Sequence, residues 1–378
     1  MLDRMAATLA ALRDADQFRD LRSFAGIPLS SNDYLGLAAH PQLKEAIARA
    51  VSEDARVAST GSRLLSGNDA RWERLESDFA AFVGAEAALY FPSGYAANIG
   101  LLSSVLKPDD TVFSDRANHA SLIDGIRLSH AKRVIFPHLD FNYLEDVLRR
   151  ETGNGEKVVV VESIFSMEGD RTPLADLTAL CDRFDASLIV DEAHATGVEG
   201  DSGRGLVHTA QRPPSVLATV HTCGKALASM GAFVAGSHTL RDFLINQARP
   251  FIFTTALPPY CAAHVTKALH LVQMADAERT RLRQLGEYLR QDLRAAGFDI
   301  GKSDSQIIPL MLGSNEAALR FAAAVTAAGF AVRAIRPPTV PIASARLRLS
   351  LNASLSIEDI DALINALAGV REAEVVSE

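Results

Sequence analysis

The chain has 378 residues, of which 48% are hydrophobic and 22% are charged, and its formal net charge is -8. This length predicts one larger and one smaller domain, because single hydrophobic cores rarely grow so large. The negative charge argues against a nucleic acid partner, and the lack of an apolar run of about 18 residues argues against a membrane span.

The cysteines and the N-terminal residues indicate the compartment. Cys181, Cys223 and Cys261 lie far apart, with no spacing typical of a zinc site or a disulfide framework. The segment from Met1 to Arg22 carries charges within an Ala/Leu pattern, which favours an amphipathic helix over a signal peptide. We therefore expect a cytoplasmic protein.

Seven short apolar runs predict the sheet of the larger domain, which we place at 45–255 after an N-terminal segment at 1–44. Several runs are continuously apolar, as is typical of strands that helices cover on both faces. Helical spacing separates them, for example in Leu144 to Arg150 and Pro173 to Phe184. The predicted fold class is therefore α/β, with a mostly parallel seven-stranded sheet: Ala87 to Phe91, Thr111 to Phe113, Arg133 to Phe136, Val158 to Val161, Leu188 to Val190, Leu217 to Val220 and Phe233 to Ala235.

The pattern changes after Pro258-Pro259, and residues 256–378 are predicted to form a smaller C-terminal α+β domain. Its last strand alternates apolar and polar residues, as a half-buried strand does. The predicted elements are helical stretches at roughly 260–296 and 315–328, strands at Ile307 to Met311 and Ala345 to Leu351, and a helix at Ile357 to Leu367.

The runs that end at Val190 and Val220 are followed by side chains that suit an aldehyde cofactor. Asp191 comes directly after the first run with His194 three residues later, and Lys225 stands in a small-residue turn after the second. A lysine can form an imine with pyridoxal phosphate, and a carboxylate at a strand end can keep the pyridine nitrogen protonated. The alternative is an Asp191 that caps a helix with His194 on its first turn. The Lys–Asp pair predicts an enzyme.

A turn that could bind phosphate follows the first candidate strand. Ser93 and Gly94 open a helical pattern, so free backbone N–H groups and the positive end of the helix dipole would face an anion. Thr222 adds a hydroxyl at another strand end. The alternative is an ordinary strand-to-helix turn. No GxGxxG follows the first strand and no GxxxxGK[ST] occurs, so a nicotinamide or P-loop site is not supported.

Two further polar residues follow candidate strands. His119 lies a few residues after Thr111 to Phe113, where an imidazole could stack on a pyridine ring, although an exposed loop histidine fits the same pattern. Ser166 follows Val158 to Val161. Because ligands gather at the carboxyl ends of parallel strands, we expect these side chains to meet Asp191 at one edge of the sheet.

Motifs along nearly the whole chain resemble those of the α-oxoamine synthase family, within the fold-type I pyridoxal phosphate enzymes. The resemblance implies a large cofactor-binding domain, a small C-terminal domain and a homodimer with its active site at the subunit interface. It rests on the Ser93, His119 and Lys225 segments and on these motifs: Ser31-Asn32-Asp33-Tyr34-Leu35-Gly36-Leu37, Gly61-Ser62-Arg63, Ser66-Gly67, Glu162 to Asp170, Asp191-Glu192-Ala193-His194 and Ala334-Ile335-Arg336-Pro337-Pro338-Thr339-Val340-Pro341.

The resemblance assigns cofactor contacts to residues of this chain. Lys225 would form the imine, Asp191 would pair with the pyridinium nitrogen, and His119 would stack on the ring. The other implied contacts are His194 and Ser166 to the phenolic oxygen, and the Gly94 and Tyr95 amides, Thr222 and Thr254 of a partner subunit to the phosphate.

The resemblance also implies the substrates. Arg19 and Arg348 match the family's carboxylate-binding arginines, and Thr339, Asn32 and His119 match substrate contacts. The segment at 334–341 favours the branch that serves biotin biosynthesis, so we expect decarboxylative condensation of L-alanine with pimeloyl-CoA or a pimeloyl carrier-protein thioester, releasing CO2 and a free thiol. The alternatives are another α-oxoamine synthase, such as glycine C-acetyltransferase, and a non-catalytic subunit of the same fold.

Overall fold

The computed structural model describes residues 1–21, 25–54 and 56–377, with side chains described up to residue 371. The N-terminal helix predicted from Met1 to Arg22 is shorter in the structure and spans Leu2–Asp14, while Arg22 lies outside the described residues. No helix in the described part of the chain is long and apolar enough to cross a bilayer.

The strands and helices are numbered in chain order. The strands are β1 (Ile27–Pro28), β2 (Ala87–Phe91), β3 (Thr111–Asp115), β4 (Lys132–Phe136), β5 (Lys157–Glu162), β6 (Ala186–Asp191), β7 (Val216–Thr222), β8 (Ala232–Gly236), β9 (Ile307–Gly313), β10 (Phe330–Ala331), β11 (Ala334–Ile335) and β12 (Ala345–Ser350). The α-helices are α1 (Leu2–Asp14), α2 (Pro41–Glu53), α3 (Ala70–Val83), α4 (Gly94–Val105), α5 (Ala120–Ser129), α6 (Phe141–Arg150), α7 (Leu174–Phe184), α8 (Leu206–Thr209), α9 (His238–Gln247), α10 (Arg249–Ile252), α11 (Pro259–Gln273), α12 (Asp276–Ala295), α13 (Asn315–Ala327) and α14 (Ile357–Ser377).

The larger compact unit, Asp33–Ser166 with Arg171–Arg279, contains a seven-stranded sheet. The strand order is β2-β8-β7-β6-β5-β3-β4, and β8 runs opposite to the other six strands. All seven predicted runs are strands of this sheet. The predicted α/β class with a mostly parallel sheet is therefore confirmed.

Successive side chains of the central strands enter two different hydrophobic cores. Val158 and Val160 lie in the core that α4, α5 and α9 cover, whereas Val159 and Val161 lie in the core that α6 and α7 cover. Burial on both faces explains why these strands read as continuous apolar runs. Polar side chains are consequently concentrated where the strands end, which is the edge that binds ligands in such sheets.

The smaller compact unit consists of Met1–Asn32, Met167–Asp170 and Thr280–Glu378. Its main sheet is antiparallel, in the order β11-β12-β9, and α13 packs against it. The short strand β1 pairs in parallel with β10, so N-terminal residues join a unit built mostly from C-terminal ones. This division differs from the predicted segments 1–44, 45–255 and 256–378, because α11 packs on α2 and α3 within the larger unit.

Two details beyond residue 255 correct the sequence-based expectation. The helical stretch predicted at 260–296 is two helices, interrupted at Met274 and Ala275. Strand β12 is buried at all six positions instead of alternating. Its arginines are held inside the unit, since Arg346 donates to the Met167 carbonyl at 3.1 Å. The polar side chains of β12 are therefore buried and do not face solvent.

Candidate active site

Polar side chains from several strand ends line one cavity of about 170 Å³ in the larger unit. Six of the predicted site residues are among its lining, which supports the expectation that they gather at one edge of the sheet. The cavity is lined by Gly94, Tyr95, Asn98, His119, Ser121, Glu162, Asp191, Ala193, Val220, Thr222 and Lys225.

Asp191, the last residue of β6, is buried and held by two hydrogen-bond donors. The Asn98 side-chain amide donates to Oδ2 at 2.7 Å, and the Ala193 backbone N–H donates to Oδ1 at 2.9 Å. The same Asn98 amide also donates to the Ser121 hydroxyl. These bonds fix the direction of the carboxylate at the strand end.

Lys225 lies in a turn after β7 that two backbone hydrogen bonds stabilise. Cys223 N–H donates to the Gly231 carbonyl, and Ser229 N–H donates to the Cys223 carbonyl, each at 2.9 Å. The Lys225 Nζ atom is 2.7 Å from Nε2 of His194. His194 does not line the cavity itself but is in direct contact with the amine that does.

His119 precedes α5 and caps its start, with Nδ1 accepting from the Ser121 N–H at 3.2 Å. Burial lowers the pKa of His119 below its usual range; Asp191 opposes this shift and Lys225 adds to it. The ring is therefore neutral near pH 7. A neutral imidazole is suited to lie flat against an aromatic ligand in the cavity.

The start of α4 supplies an anion site at the other end of the cavity. Ser93 caps the helix by accepting from the Ala96 N–H at 3.1 Å, while the N–H groups of the first turn have no intrahelical acceptor. Gly94 lies next to Thr222, since a Cβ atom on the glycine would be in van der Waals contact with the Thr222 hydroxyl at 3.4 Å. The helix start and the hydroxyl together offer hydrogen-bond donors to an anion such as a phosphate group.

The cavity fits pyridoxal phosphate in its donor set. It offers an amine at Lys225, a buried carboxylate at Asp191, a neutral ring at His119 and an anion cradle at Gly94 and Thr222. The buried Oδ1 of Asn98 has no hydrogen-bond partner in the described part of the chain, so the cavity can also satisfy a ligand donor.

Besides His194, two predicted cofactor residues are not among the cavity lining. Ser166 is buried, and its backbone N–H donates to Oε2 of Glu162 at 3.2 Å. Thr254 lies in the connection between α10 and α11. Their assignments to the phenolic oxygen and to a partner's phosphate stay predictions.

The predicted substrate residues other than His119 belong to the smaller unit, where they form two pairs. Arg348 donates to Oδ1 of Asn32 at 3.1 Å and to the Ser350 hydroxyl at 2.5 Å. Arg19 donates to the Thr339 hydroxyl at 2.9 Å. The sequence resemblance named both partners of each pair, and the structure brings each pair into contact.

Arg19 and Thr339 also line a cavity of about 740 Å³ within the smaller unit. Its apolar wall comes from α13, and its charged rim adds Arg333 and Arg336, which the sequence analysis did not select. Burial and the positive charge of Arg19 lower the pKa of Arg336, with Asp16 opposing and Arg333 adding to the effect. The lining is Phe18, Arg19, Asp20, Leu319, Ala322, Ala323, Thr326, Ala327, Val332, Arg333, Ala334, Ile335, Arg336 and Thr339.

Sequence reasoning missed Asn98 and Tyr34 as site residues. Both stand in motifs that carry the family resemblance or adjoin it, but side-chain direction decides their roles. The Tyr34 hydroxyl lies 2.6 Å from Nδ1 of His194, and Asn98 lies four residues after Gly94 on α4, which faces Asp191. The available signal was helical spacing from the Ser-Gly turn.

Comparison with known proteins places this geometry in a family. The family of class I and II aminotransferases matches residues 25–367. An 8-amino-7-oxononanoate synthase of Geobacter sulfurreducens is 42% identical over 98% of this chain and 98% of the relative. A putative 8-amino-7-oxononanoate synthase of Geobacillus kaustophilus is 46% identical over 91% of this chain and 88% of the relative.

Solved structures agree with the sequence relatives. A serine palmitoyltransferase variant from S. paucimobilis with a bound PLP–myriocin aldimine superimposes with a TM-score of 0.91 at 28% identity, covering 99% of this chain and 98% of that one. An 8-amino-7-oxononanoate synthase from Francisella tularensis gives a TM-score of 0.81 at 29% identity, covering 93% of this chain and 99% of that one.

This chain belongs to the class I and II aminotransferase family, and the predicted pyridoxal phosphate-dependent enzyme class is confirmed. Within that class, the chain is similar along nearly its whole length to 8-amino-7-oxononanoate synthases, as the motif at 334–341 indicates.

Proposed function

We propose that this chain condenses L-alanine with a pimeloyl thioester, releasing CO2 and a free thiol, as an 8-amino-7-oxononanoate synthase does in biotin biosynthesis. The observation that carries the proposal is the single cavity holding Lys225 and Asp191, in a chain similar throughout to synthases of this name. An amine and a buried carboxylate in one cavity are the two groups that the chemistry requires.

Bound pyridoxal phosphate would supply an aldehyde that takes up amines and a ring that withdraws electrons from the Cα atom of alanine. Lys225 would hold the cofactor covalently through Nζ and, when alanine displaces it, would accept the Cα proton. Its contact with His194 at 2.7 Å provides an acceptor for the ammonium proton, so the amine can act as a base.

Asp191 would keep a proton on the pyridine nitrogen. The carboxylate is already oriented by Asn98 and by the Ala193 N–H, so no reorganisation is required when positive charge appears beside it. The helix start at Gly94 and the hydroxyl of Thr222 would bind the phosphate, while His119 would cover the ring face. Ser166 would assist His194 at the phenolic oxygen.

Arg348 would bind the carboxylate of alanine. Its guanidinium is directed by the Asn32 and Ser350 side-chain oxygens, and a guanidinium is suited to bind a carboxylate through two parallel N–H groups. Burial of the guanidinium strengthens such a contact relative to one in water.

The larger cavity of the smaller unit would accept the acyl chain. Its α13 wall suits methylene groups, and its rim carries the three arginines Arg19, Arg333 and Arg336 with one acidic residue, Asp20, in the lining. A terminal carboxylate would relieve the mutual repulsion that contributes to the lowered pKa of Arg336. Thr339 would direct Arg19 toward it.

We further propose a cytoplasmic homodimer in which Thr254 of one copy completes the phosphate site of the other. The proposal is supported by the position of Thr254 outside its own chain's cavity lining and by the exposed, apolar Leu64, Leu65 and Phe253 of the larger unit, which are 49%, 83% and 70% exposed. Contact with a second copy would remove these apolar side chains from water. Buried, unpaired cysteines are compatible with a reducing compartment.

The test is product identification by mass spectrometry. The purified protein, loaded with pyridoxal phosphate, is incubated with alanine, glycine or serine and with pimeloyl, acetyl or palmitoyl thioesters. We expect 8-amino-7-oxononanoate from alanine and the pimeloyl thioester, with the other pairs far slower. A product only from glycine and acetyl-CoA would assign the glycine C-acetyltransferase activity instead, and a protein that takes up no cofactor would be a non-catalytic subunit.

A further inference from the structure

A chain of three hydrogen-bonding groups leads from the surface of the cofactor cavity to a phenol buried behind it. Lys225 Nζ is 2.7 Å from Nε2 of His194, and Nδ1 of the same ring is 2.6 Å from the Tyr34 hydroxyl. Tyr34 has no exposed surface, and His194 is 3% exposed. All three residues belong to the larger unit.

Tyr34 is held firmly by the turn in which it stands. The Asp33 side chain accepts from the N–H groups of Leu37 and Ala38 at 2.8 and 3.0 Å. Gly36 has φ 70°, a left-handed conformation that favours glycine and lets the chain reverse immediately after Leu35. The phenol therefore presents its hydroxyl to His194 from a fixed backbone rather than from a mobile side chain.

The protonation of the three groups is coupled by the chemistry of imidazole. A charged ring beside the Lys225 ammonium would place two positive charges 2.7 Å apart, so a neutral ring is favoured. A neutral imidazole has one N–H donor and one acceptor nitrogen. When Nζ is an ammonium, Nε2 accepts from it and Nδ1 donates to the phenol oxygen; when Nζ is neutral, Nε2 can carry the hydrogen and the phenol donates to Nδ1.

We propose that Tyr34 is a positioning residue for proton transfer at Lys225, acting through His194. The inference rests on the proposed function, in which the lysine amine is the working base. A phenol can either donate to or accept from Nδ1, so it satisfies His194 in both protonation states of the amine. A phenylalanine at this position would satisfy neither and would leave a buried ring nitrogen without that partner.

The first test is made on the apoprotein and needs no activity. With 15N-labelled histidine, NMR should show a proton shared between Nδ1 of His194 and Tyr34 that is protected from exchange with water. It should be present in the unmodified chain and lost in Tyr34→Phe. Its absence from the unmodified chain would overturn the proposal, whether or not the variant folds.

The second test measures how fast apoprotein takes up pyridoxal phosphate in a form that borohydride fixes to Lys225. We expect Tyr34→Phe to slow uptake about tenfold, as the loss of one buried hydrogen bond predicts. In the background of His194→Ala the same change should alter the rate by less than about twofold, because the intermediary is gone. A merely structural role for the phenol would slow both backgrounds equally, and that result would contradict the proposal.

The matched control is Tyr288→Phe, which removes a phenol hydroxyl that donates to Asp361 at 2.6 Å in the smaller unit. Its uptake rate should equal that of the unmodified chain. If the unmodified chain fixes no cofactor on Lys225, the proposed function fails. If it does, and Tyr34→Phe changes neither the shared proton nor the uptake rate, only the role of Tyr34 fails.

Discussion

The two cavities of this protein are built in different ways. In the larger unit, side chains that line the small cavity are fixed by other side chains, Asp191 by Asn98 within the lining and Lys225 by His194 beside it. In the smaller unit, the wider cavity is walled mostly by small residues of α13, and two arginines of its cationic rim donate to backbone carbonyls. Arg336 donates to the Phe18 carbonyl at 3.4 Å and Arg333 to the Asp20 carbonyl at 3.3 Å.

This difference in construction corresponds to a difference in proposed role: the small cavity holds the reacting groups, and the wider cavity selects the acyl substrate. Groups that fix one another across strand ends cannot be changed singly without loss of the reacting geometry. A wide cavity with an apolar wall and a charged rim tolerates change, and alters which acyl group is used. Substitutions in the two cavities should therefore differ in kind as well as in size.

The largest effect is expected for Lys225→Ala. Without the amine, no bond to the cofactor aldehyde can form, so the visible absorbance of the loaded protein should vanish and activity should fall to background. After borohydride treatment, mass spectrometry should find the cofactor on a peptide containing Lys225 in the unmodified chain only. Lys302→Ala, at an exposed position of the smaller unit, should behave as the unmodified chain does. Cofactor fixed elsewhere in Lys225→Ala would reject the assignment.

Asp191→Asn should follow in size. Removing the negative charge lowers the affinity of the ring nitrogen for its proton, and a coupling of about two to three pKa units corresponds to a rate loss of about two to three orders of magnitude. Exchange of the alanine α-proton, followed by NMR in deuterated water, measures this directly. Asp110→Asn, a buried carboxylate just before β3 that accepts backbone N–H groups, is the control. Near-normal exchange in Asp191→Asn would rule out the electron-withdrawing role.

Arg348→Lys should weaken alanine binding without loss of cofactor. A lysine cannot make the bidentate contact, so the apparent Kd from spectral titration with alanine should rise about tenfold. Arg346→Lys is the control, because it shows whether replacing another buried arginine of β12 also raises the apparent Kd for alanine. Arg346 shares a face with Arg348 but contacts Met167 and Glu168 instead. Equal effects of the two substitutions would remove Arg348 from the substrate site.

Arg19→Ala should change substrate preference more than rate. We expect kcat/KM for a pimeloyl thioester to fall about tenfold, and kcat/KM for a heptanoyl thioester, which lacks the terminal carboxylate, to stay within about twofold. Arg320→Ala, which removes an arginine of α13 that does not line the cavity, serves as the control. Equal losses with both thioesters would show that Arg19 does not recognise the acyl carboxylate.

The smallest effect on turnover is expected for Glu192→Gln, whose main consequence is for stability. Burial raises the pKa of Glu192 to about 7 from 4.5, against the Val207 and Leu206 N–H groups that favour the charged form. The folded state therefore binds the proton more tightly than the unfolded state. The contribution of Glu192 to the free energy of unfolding falls as pH rises from about 4.5 to about 7.

In the unmodified chain, titration of Glu192 should lower the free energy of unfolding by about 3 kcal/mol as pH rises from about 4.5 to about 7. Glu192→Gln should not show this decrease. Denaturant unfolding of both proteins at pH 5 and pH 8 measures it. Glu53→Gln, an exposed carboxylate on α2, should leave the pH dependence unchanged. An identical pH dependence in Glu192→Gln and the unmodified chain would show that the buried carboxyl titrates normally.

Much of the larger unit was accessible from sequence because its signals are local. A strand covered on both faces requires consecutive apolar residues. Runs such as Val158 to Val161 and Leu188 to Val190 can therefore be recognised from a few positions of sequence. The residue that follows such a run is placed at the ligand edge by topology alone. This is why Asp191, Thr222 and Lys225 could be selected before their distances were known.

The smaller unit shows where local signals fail. Alternation in β12 predicts a half-buried strand, yet Arg346 and Arg348 are inside, because partners at Met167 and Asn32 satisfy them there. A side chain's polarity indicates that it needs a partner, not whether water or another residue provides it. For the same reason, the rim residues Arg333 and Arg336 were indistinguishable from solvated arginines.

The sequence by itself determined the family, the α/β class, the seven strands and the identity of the amine and carboxylate, because these depend on periodicity and on motifs of a few residues. Only the tertiary structure decided that Tyr34 meets His194, 160 positions away, and that Asn98 holds Asp191, 93 positions away. Such contacts depend on side-chain direction and on which strand ends become neighbours. No pattern within a short segment records either property, since both are set when the whole sheet assembles.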